Sequence, residues 1–264
     1  DSKSSPQEAL IALKQMTDQG IRYFFMGNGS NVAIALSEAV AKHNARNPDK
    51  TILFLNYGAV DPSLTNDRCN FWHFRFDADS DMKMQALTNY MTGQKAIRKV
   101  YLINQDYAFG QSVSKAARAM LGQKRPDIEI VGDDLHPLGK VKDFAPYVSK
   151  VKASDADTVI TGNWGNDLSL LVKAAKESGL KAHFYTYYAG IVGSPAAIGE
   201  AGEDVRQVSM WHTNVGGKES DALTEAYRKR FPDVKDDFFF LTLKNGVAML
   251  ARAMSETKSS DPLK

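Results

Sequence analysis

The stretch IRYFFMGNGSNVAIALSEAV, residues 21–40, contains the pattern of a strand, a turn and a helix in succession. The apolar run at 21–26 predicts a buried strand, and the Gly-Asn-Gly sequence at 27–29 predicts a tight turn after it. Apolar side chains then recur every four residues over 32–40, which is the spacing of one helix face. A strand followed directly by a helix is the repeating unit of a parallel α/β sheet.

The same alternation extends to both sides of this stretch. Before it, Ser5-Pro6-Gln7-Glu8 is a helix-capping sequence with proline at the first helical position, and Gly20 is a stop signal. The further predicted strands lie at 51–55, 71–76, 100–103, 128–131, 158–161, 184–188 and 205–211. The further predicted helices lie at 81–91, 111–121, 144–151, 168–175, 220–230 and 241–254.

Strands that alternate with helices predict an α/β fold with parallel sheets covered on both faces. The loops between Asn56 and Phe71 and between Tyr188 and Val205 are too irregular for a closed barrel. The sequence therefore predicts two doubly wound parallel-sheet lobes.

The composition excludes several classes of protein. The chain has 264 residues, 43% of them hydrophobic, and a formal net charge of +2, which is typical of a folded globular protein. It has no run of Lys and Arg residues that would give a nucleic-acid-binding face. No apolar run approaches the length of about 18 residues that a membrane-spanning helix needs. No secretory signal peptide is visible at the start of the sequence. The single cysteine, Cys69, cannot form an internal disulfide, and we expect it to be a small buried side chain.

No arrangement of residues predicts catalysis, a cofactor or a metal site. The five histidines lack HxH and HExxH spacing, and no GxSxG sequence occurs. The turn at 27–29 resembles the start of a dinucleotide fingerprint, but Val32 stands where a third small residue is required. A nucleotide-dependent oxidoreductase is therefore the disfavoured alternative. The N–H groups of Ser30 and Asn31 favour an anion, with a helix start that binds no ligand as the alternative.

Aromatic side chains collect at the predicted carboxyl ends of strands, where open α/β sheets bind ligands. Their number favours a pocket for an apolar or aromatic group, with packing of the core and of the interdomain surface as the alternative. They are Tyr57, Tyr107, Phe109, Trp164, Tyr185, Tyr187, Tyr188 and Trp211. Asp167, close to Trp164 in sequence, is a further candidate ligand contact.

With these features, the sequence resembles the type I periplasmic binding proteins, in the leucine/isoleucine/valine-binding group of ABC-transporter solute-binding proteins. The resemblance extends over the whole chain and rests on the order and spacing of short motifs. They are Ser5-Pro6-Gln7-Glu8-Ala9, Met26-Gly27 with Ser30, Asp61-Pro62-Ser63-Leu64-Thr65, Phe74-Arg75-Phe76 with Asp79, Asp106-Tyr107-Ala108-Phe109-Gly110, Asp143-Phe144 and Ala175-Lys176-Glu177-Ser178-Gly179-Leu180.

The resemblance implies two α/β lobes joined by three crossings, with a ligand cleft between them. On that pattern, lobe 1 comprises 1–98 and 218–264, and lobe 2 comprises 99–217. The family's opening strand, helix and strand and its C-terminal portion have no counterpart here, so the sequence resembles a family member truncated at both ends. The implied role is a monomeric periplasmic subunit, without catalysis, that delivers a small molecule to the permease subunits of an ABC importer. A sensory ligand-binding domain with the same fold is the alternative.

The resemblance also implies which residues contact the ligand. In lobe 1 they are Ser30 and Asn31, in a carboxylate-binding turn, and Gly58, Ala59 and Val60. In lobe 2 they are Phe109, Trp164 and Tyr188.

Two of these positions depart from the pattern of amino-acid binders. Val60 replaces a hydroxyl residue, and Tyr188 replaces the carboxylate that holds the ligand's ammonium group. Because a buried ammonium without a charge partner is costly, we expect a small carboxylate with an uncharged body. The aromatic side chains of lobe 2, Phe109 and Trp164 with Tyr185 or Tyr187, suit an aromatic acid. A branched-chain or other amino acid is the alternative, in which Asp106 or Asp167 supplies the missing carboxylate.

Overall fold

The chain folds into two compact units, each built on one parallel β-sheet. The computed structural model describes residues 2–234 and 236–264, so Asp1, where the predicted lobe 1 begins, lies outside the described residues. Unit 1 comprises Asp1–Asp79 and Phe240–Lys264, and unit 2 comprises Ser80–Phe239. The prediction of two parallel-sheet α/β lobes is confirmed.

The strands and helices follow one another along the chain much as the sequence predicts. The strands are β1 (Tyr23–Met26), β2 (Leu53–Asn56), β3 (His73–Arg75), β4 (Lys99–Gln105), β5 (Glu129–His136), β6 (Thr158–Thr161), β7 (His183–Thr186) and β8 (Val205–Gln207). The helices are α1 (Pro6–Asp18), α2 (Ser30–Arg46), α3 (Ser80–Thr92), α4 (Ala108–Lys124), α5 (Ala145–Ala153), α6 (Gly165–Glu177), α7 (Ser194–Ile198), α8 (Lys218–Arg230) and α9 (Leu241–Thr257). No helix among the described residues is long and apolar enough to cross a membrane.

Unit 1 contains a three-stranded sheet in the order β1-β2-β3, with all strands parallel. Val32 and Val40 on α2 are fully buried in the same cluster as Phe54 of β2, and burial of one such side chain stabilises the fold by about 1.5–3 kcal/mol. Met26 is in register with Asn56, and Asn56 with Arg75. The carboxyl ends of the three strands therefore lie side by side, and the loops that follow the strands start at the same edge of the sheet.

Unit 2 contains a five-stranded parallel sheet in the order β5-β4-β6-β7-β8. Tyr101 and Ile103 of β4 share a buried cluster with α5 and α6, and Leu102 points to the opposite face, since side chains alternate along a strand. β4 lies between β5 and β6, so the chain reverses its direction across the sheet at β4. The carboxyl ends of β4 and β6 are thus the topological switch point, where doubly wound sheets bind ligands.

Two helices belong to a different unit from the lobe in which the family pattern would place them. The lobe boundaries implied by that pattern stay a prediction. α3 and α8 belong to unit 2, whereas 1–98 and 218–264 would place them in lobe 1. Hydrogen bonds tie α3 to α4: Lys124 Nζ donates to Thr88 Oγ1 at 2.8 Å and to Asn89 Oδ1 at 2.7 Å. These contacts join segments far apart in sequence, which the family pattern does not specify.

Several local predictions differ from the structure. α4 begins at Ala108, three residues before the predicted start, because Tyr107 is its N-cap residue. The strand predicted at 205–211 ends at Gln207, and α7 is too short to be recognised from periodicity. Cys69, expected to be buried, is exposed. It lies in a turn in which its N–H donates to the Asn66 carbonyl oxygen, so its side chain has no core to enter.

Candidate functional site

In unit 1, the amino end of α2 lies beside the loop that follows β2. Gly29, with φ of +72°, precedes the helix, and no side chain caps it. The first N–H groups of α2, at Ser30 and Asn31, therefore lack a capping side chain and carry the positive end of the helix dipole. Ser30 Oγ accepts the N–H of Asp61 at 3.2 Å. The structure thus brings Ser30 next to the end of the segment 58–60, as a shared lobe 1 site requires.

Asn56, the last residue of β2, holds the segment 58–60 in shape. Its Oδ1 accepts the N–H groups of Gly58 at 3.1 Å and Ala59 at 2.8 Å. Its Nδ2 donates to the Ala59 carbonyl oxygen at 2.8 Å. Sequence reasoning missed Asn56, although a polar residue that closes an apolar strand is a signal of a local hydrogen-bonding role. With Ala59 and Val60 buried, the side chains of this segment pack into unit 1.

His73 fixes the orientation of the Asn56 amide. Its Nε2 lies 3.2 Å from Asn56 Nδ2, and because an amide nitrogen only donates, Nε2 is the acceptor and the ring proton sits on Nδ1. Burial, and to a smaller extent the nearby charge of Arg75, lowers the pKa of His73 to about 4. The ring is therefore neutral at neutral pH, which is the form that this hydrogen bond requires.

Two glycines allow the loops after β1 and β2 to approach each other. A Cβ atom on Gly58 would lie 2.9 Å from the Gly27 carbonyl oxygen, and one on Gly27 would lie 2.5 Å from the ring of Tyr57. Neither distance is compatible with a side chain larger than hydrogen. α9 also reaches this edge, since Thr242 Oγ1 donates to the Tyr57 carbonyl oxygen at 2.7 Å.

In unit 2, the three predicted ligand contacts belong to one group of rings at the switch point. We call Tyr107, Phe109, Trp164, Tyr187 and Tyr188 the aromatic cluster. The Phe109 ring lies 5.6 Å from the rings of both Tyr187 and Tyr188, and 6.0 Å from that of Tyr107. Trp164 Nε1 donates to the Tyr107 hydroxyl at 2.8 Å. Tyr107 therefore links Trp164 to Phe109, a connection that sequence reasoning did not predict.

The Asp167 carboxylate forms hydrogen bonds to other residues of unit 2 close to Trp164 in sequence and space. Its Oδ2 accepts the Gln105 amide at 2.7 Å and the N–H of Gly139 at 2.8 Å, and only 2% of the residue is exposed. Gln105 Nε2 also contacts the Trp164 carbonyl oxygen at 3.3 Å. These bonds favour a structural role for Asp167 over the direct ligand contact proposed from its sequence position. Asp106 is exposed and accepts a hydrogen bond from Gln111.

The remaining features lie outside the two groups of predicted ligand contacts. Among residues 2–234 and 236–264, no group of three or more His, Cys, Asp or Glu side chains could hold a metal ion. Asn163 Nδ2 lies 2.8 Å from His136 Nε2, in the same arrangement as Asn56 Nδ2 and His73 Nε2. A cavity of about 430 Å³ in unit 2 lies among α7, the segment after β7 and the segment after β8, and none of the predicted ligand contacts lines it.

Comparison with known proteins agrees with this architecture. A family described as periplasmic binding protein matches residues 1–264. The Leu/Ile/Val-binding protein homolog 4 of Brucella abortus is 36% identical over 233 residues, which are 87% of this chain and 55% of that protein. The chain thus spans about half the length of this curated relative.

Solved structures give the same result. The leucine-, isoleucine-, valine-, threonine- and alanine-binding protein of Brucella ovis, in its closed conformation, superposes with a TM-score of 0.82 at 32% identity, over 97% of this chain and 65% of that one. A Rhodopseudomonas palustris HaA2 solute-binding protein in complex with p-hydroxybenzoic acid has a TM-score of 0.83 at 19% identity, over 99% of this chain and 70% of that one, and supports the fold alone. By its sequence and its fold, the chain belongs to the periplasmic binding protein family.

Proposed function

We propose that this chain is the ligand-binding part of a periplasmic solute-binding subunit of an ABC importer, and that it binds a small aromatic carboxylate. The observation that carries the ligand class is the setting of Tyr188. At the position where the family's amino-acid binders hold an ammonium group with a carboxylate, this chain has a phenol ring packed 5.6 Å from Phe109. Tyr188 is 8% exposed, and its ring supplies no counter-charge for an ammonium.

The proposal assigns the ligand's carboxylate to unit 1. The uncapped amino end of α2 supplies N–H donors and a favourable dipole, and Ser30 adds a hydroxyl group. Asn56 holds the segment 58–60 beside this helix end, so the donors keep their geometry without the ligand. Such preorganisation lowers the entropic cost of binding.

The ligand body is assigned to the aromatic cluster of unit 2. Stacking of a ligand ring on such side chains contributes about 0.5–1.5 kcal/mol per pair beyond the burial of apolar area. The p-hydroxybenzoic acid in the Rhodopseudomonas palustris structure is an aromatic carboxylate of this kind. Delivery of the bound ligand to the permease subunits is the role expected of this subunit.

An amino acid is the second candidate ligand, because the Brucella relatives are named for leucine, isoleucine and valine. It requires a carboxylate near the ammonium group, and Asp167 already accepts two hydrogen bonds within unit 2. That commitment weighs against Asp167 as the partner of an ammonium group; Asp106, the other candidate carboxylate, is exposed and accepts a hydrogen bond from Gln111 Nε2 at 2.9 Å.

Thermal-shift measurements with benzoate and 4-hydroxybenzoate test the proposal. We expect both acids to raise the melting temperature of the protein and to lose this effect in Trp164→Ala. Trp211→Ala is the matched control, because the Trp211 indole bonds to Ser220 Oγ at 3.0 Å within unit 2, outside the aromatic cluster. Equal responses of the two variants would contradict the assignment of the ligand to the cluster.

A further inference from the structure

The hydroxyl group of Tyr107 has a defined hydrogen-bonding direction. It lies 2.8 Å from Trp164 Nε1, and since an indole nitrogen is a donor only, the phenol oxygen is the acceptor in this bond. The proton of the Tyr107 hydroxyl must therefore point to another group. Among residues 2–234 and 236–264, no side chain or carbonyl oxygen accepts this proton.

Tyr107 keeps this proton throughout the physiological pH range. Burial raises the pKa of its hydroxyl well above the ordinary value for tyrosine, and the charge of Asp167 raises it further, against the opposing effect of the Trp164 hydrogen bond. The residue is only partly exposed, so solvent has limited access to the hydroxyl. A partly buried donor without an acceptor costs free energy that a suitable ligand atom recovers.

The position of Tyr107 relates this donor to the proposed ligand contacts. It is the N-cap residue of α4, it bonds to Trp164, and its ring lies 6.0 Å from that of Phe109. Both neighbours are predicted ligand contacts. Phe109 is only 2% exposed, whereas Trp164 is half-buried. A ligand body that packs on Trp164 would bring its substituents close to the Tyr107 hydroxyl.

We infer that Tyr107 is a specificity-determining residue that donates its hydroxyl proton to an oxygen substituent on the ligand ring, so that the site favours oxygenated aromatic carboxylates over plain ones. The inference rests on the proposed function, which assigns the carboxylate itself to α2. The acceptor that meets Tyr107 is then a second oxygen-bearing group of the ligand and not its carboxylate. A site that contains a hydrogen-bonding group for a substituent binds analogues without that substituent less tightly, because the group is left unpaired.

Isothermal titration calorimetry with ligands of matched shape isolates this hydrogen bond. Methoxybenzoate and ethylbenzoate have nearly the same size, but only methoxybenzoate carries an oxygen acceptor, and the 3- and 4-substituted isomers cover two substituent directions. We expect the wild-type protein to bind one methoxy isomer at least about tenfold more tightly than its ethyl partner. In Tyr107→Phe, the preference is expected to fall to within about twofold.

The ratio of the two affinities is the informative quantity, because Tyr107→Phe also leaves the Trp164 N–H without its acceptor and can weaken both ligands. Tyr101→Phe is the control: it removes a hydroxyl that bonds to Asp134 at 2.9 Å, on β4 and away from the aromatic cluster, and it should leave the ratio unchanged. Binding of both ligands without preference in the wild type would overturn the inference and leave the proposed function standing. Absence of binding by every benzoate would overturn both.

Discussion

At the residue scale, the shape of the candidate lobe 1 site depends on one buried amide. Asn56 bonds to three backbone groups of the segment 58–60, and His73 orients it. The sequence places Ser30 at a helix start, because a glycine turn and helical spacing locate that start directly. It cannot show which groups Asn56 bonds, because those bonds depend on the path of the loop and on a ring from the neighbouring strand.

Asn56→Ala is expected to lower the free energy of unfolding by about 2–3 kcal/mol, since it removes three hydrogen bonds to buried or half-buried groups. It should also weaken binding of benzoate. Asn66→Ala is the control, because the Asn66 side chain is exposed and its Nδ2 donates to the Pro62 carbonyl oxygen at 3.0 Å, so loss of that side chain should cost less than about 1 kcal/mol. Denaturant titrations measure the free energy of unfolding of the two variants. Equal values would contradict the claim that Asn56 holds the segment 58–60.

The pKa of His73 predicts a pH dependence of stability. Its value in the folded protein, about 4, is below the ordinary 6.5, so below pH 6.5 the unfolded chain binds a proton that the folded chain excludes. The stabilisation is therefore complete above pH 6.5 and is lost as the pH falls through 4. We expect a loss of about 3 kcal/mol over this range from this group.

His73→Gln is the matched variant for this measurement, because its amide oxygen can accept the Asn56 hydrogen bond and does not titrate in this range. Its free energy of unfolding should fall less steeply than that of the wild type between pH 6.5 and pH 4. Identical slopes in the two proteins would show that His73 does not exclude the proton.

At the element scale, the long elements follow from sequence and the short ones do not. α2 carries four-residue apolar spacing and is recognised from it, and β6 has the predicted bounds. α7 has five residues, which is little more than one turn and leaves no period to detect. β8 ends at Gln207, whose partner in register, Thr186, is the last residue of β7, so the limit is set by the neighbouring strand. The aromatic cluster likewise joins elements that are far apart in sequence.

The amino end of α2 gives a prediction about backbone donors. Asn31 is the second residue of α2, where proline fits sterically but has no N–H group. We expect Asn31→Pro to weaken binding of benzoate more than Asn31→Ala, because only proline removes the backbone donor. Calorimetry on both folded variants measures this. If the alanine variant loses as much affinity as the proline variant, the side chain and not the helix end holds the anion.

At the scale of the whole molecule, alternating strands and helices were sufficient to predict two α/β units. The sheet order β5-β4-β6-β7-β8 then explains why the candidate residues of unit 2 lie together: Phe109 and Trp164 follow the two strands at the switch point. The extent of each unit was less predictable, because α3 joins unit 2 through contacts with α4. Which ligand is bound depends on a few residues within this shared fold, so the fold alone does not determine the ligand.

The most direct measurement of the central claim is a pair of calorimetric titrations with 3-phenylpropanoate and phenylalanine. The two ligands share the carboxylate and the ring and differ only in the α-amino group. With Tyr188 in place of a counter-charge and Asp167 committed to internal bonds, the protein should bind 3-phenylpropanoate at least about tenfold more tightly, because the ammonium group would be buried without a partner. Tighter binding of phenylalanine than of 3-phenylpropanoate would contradict this account.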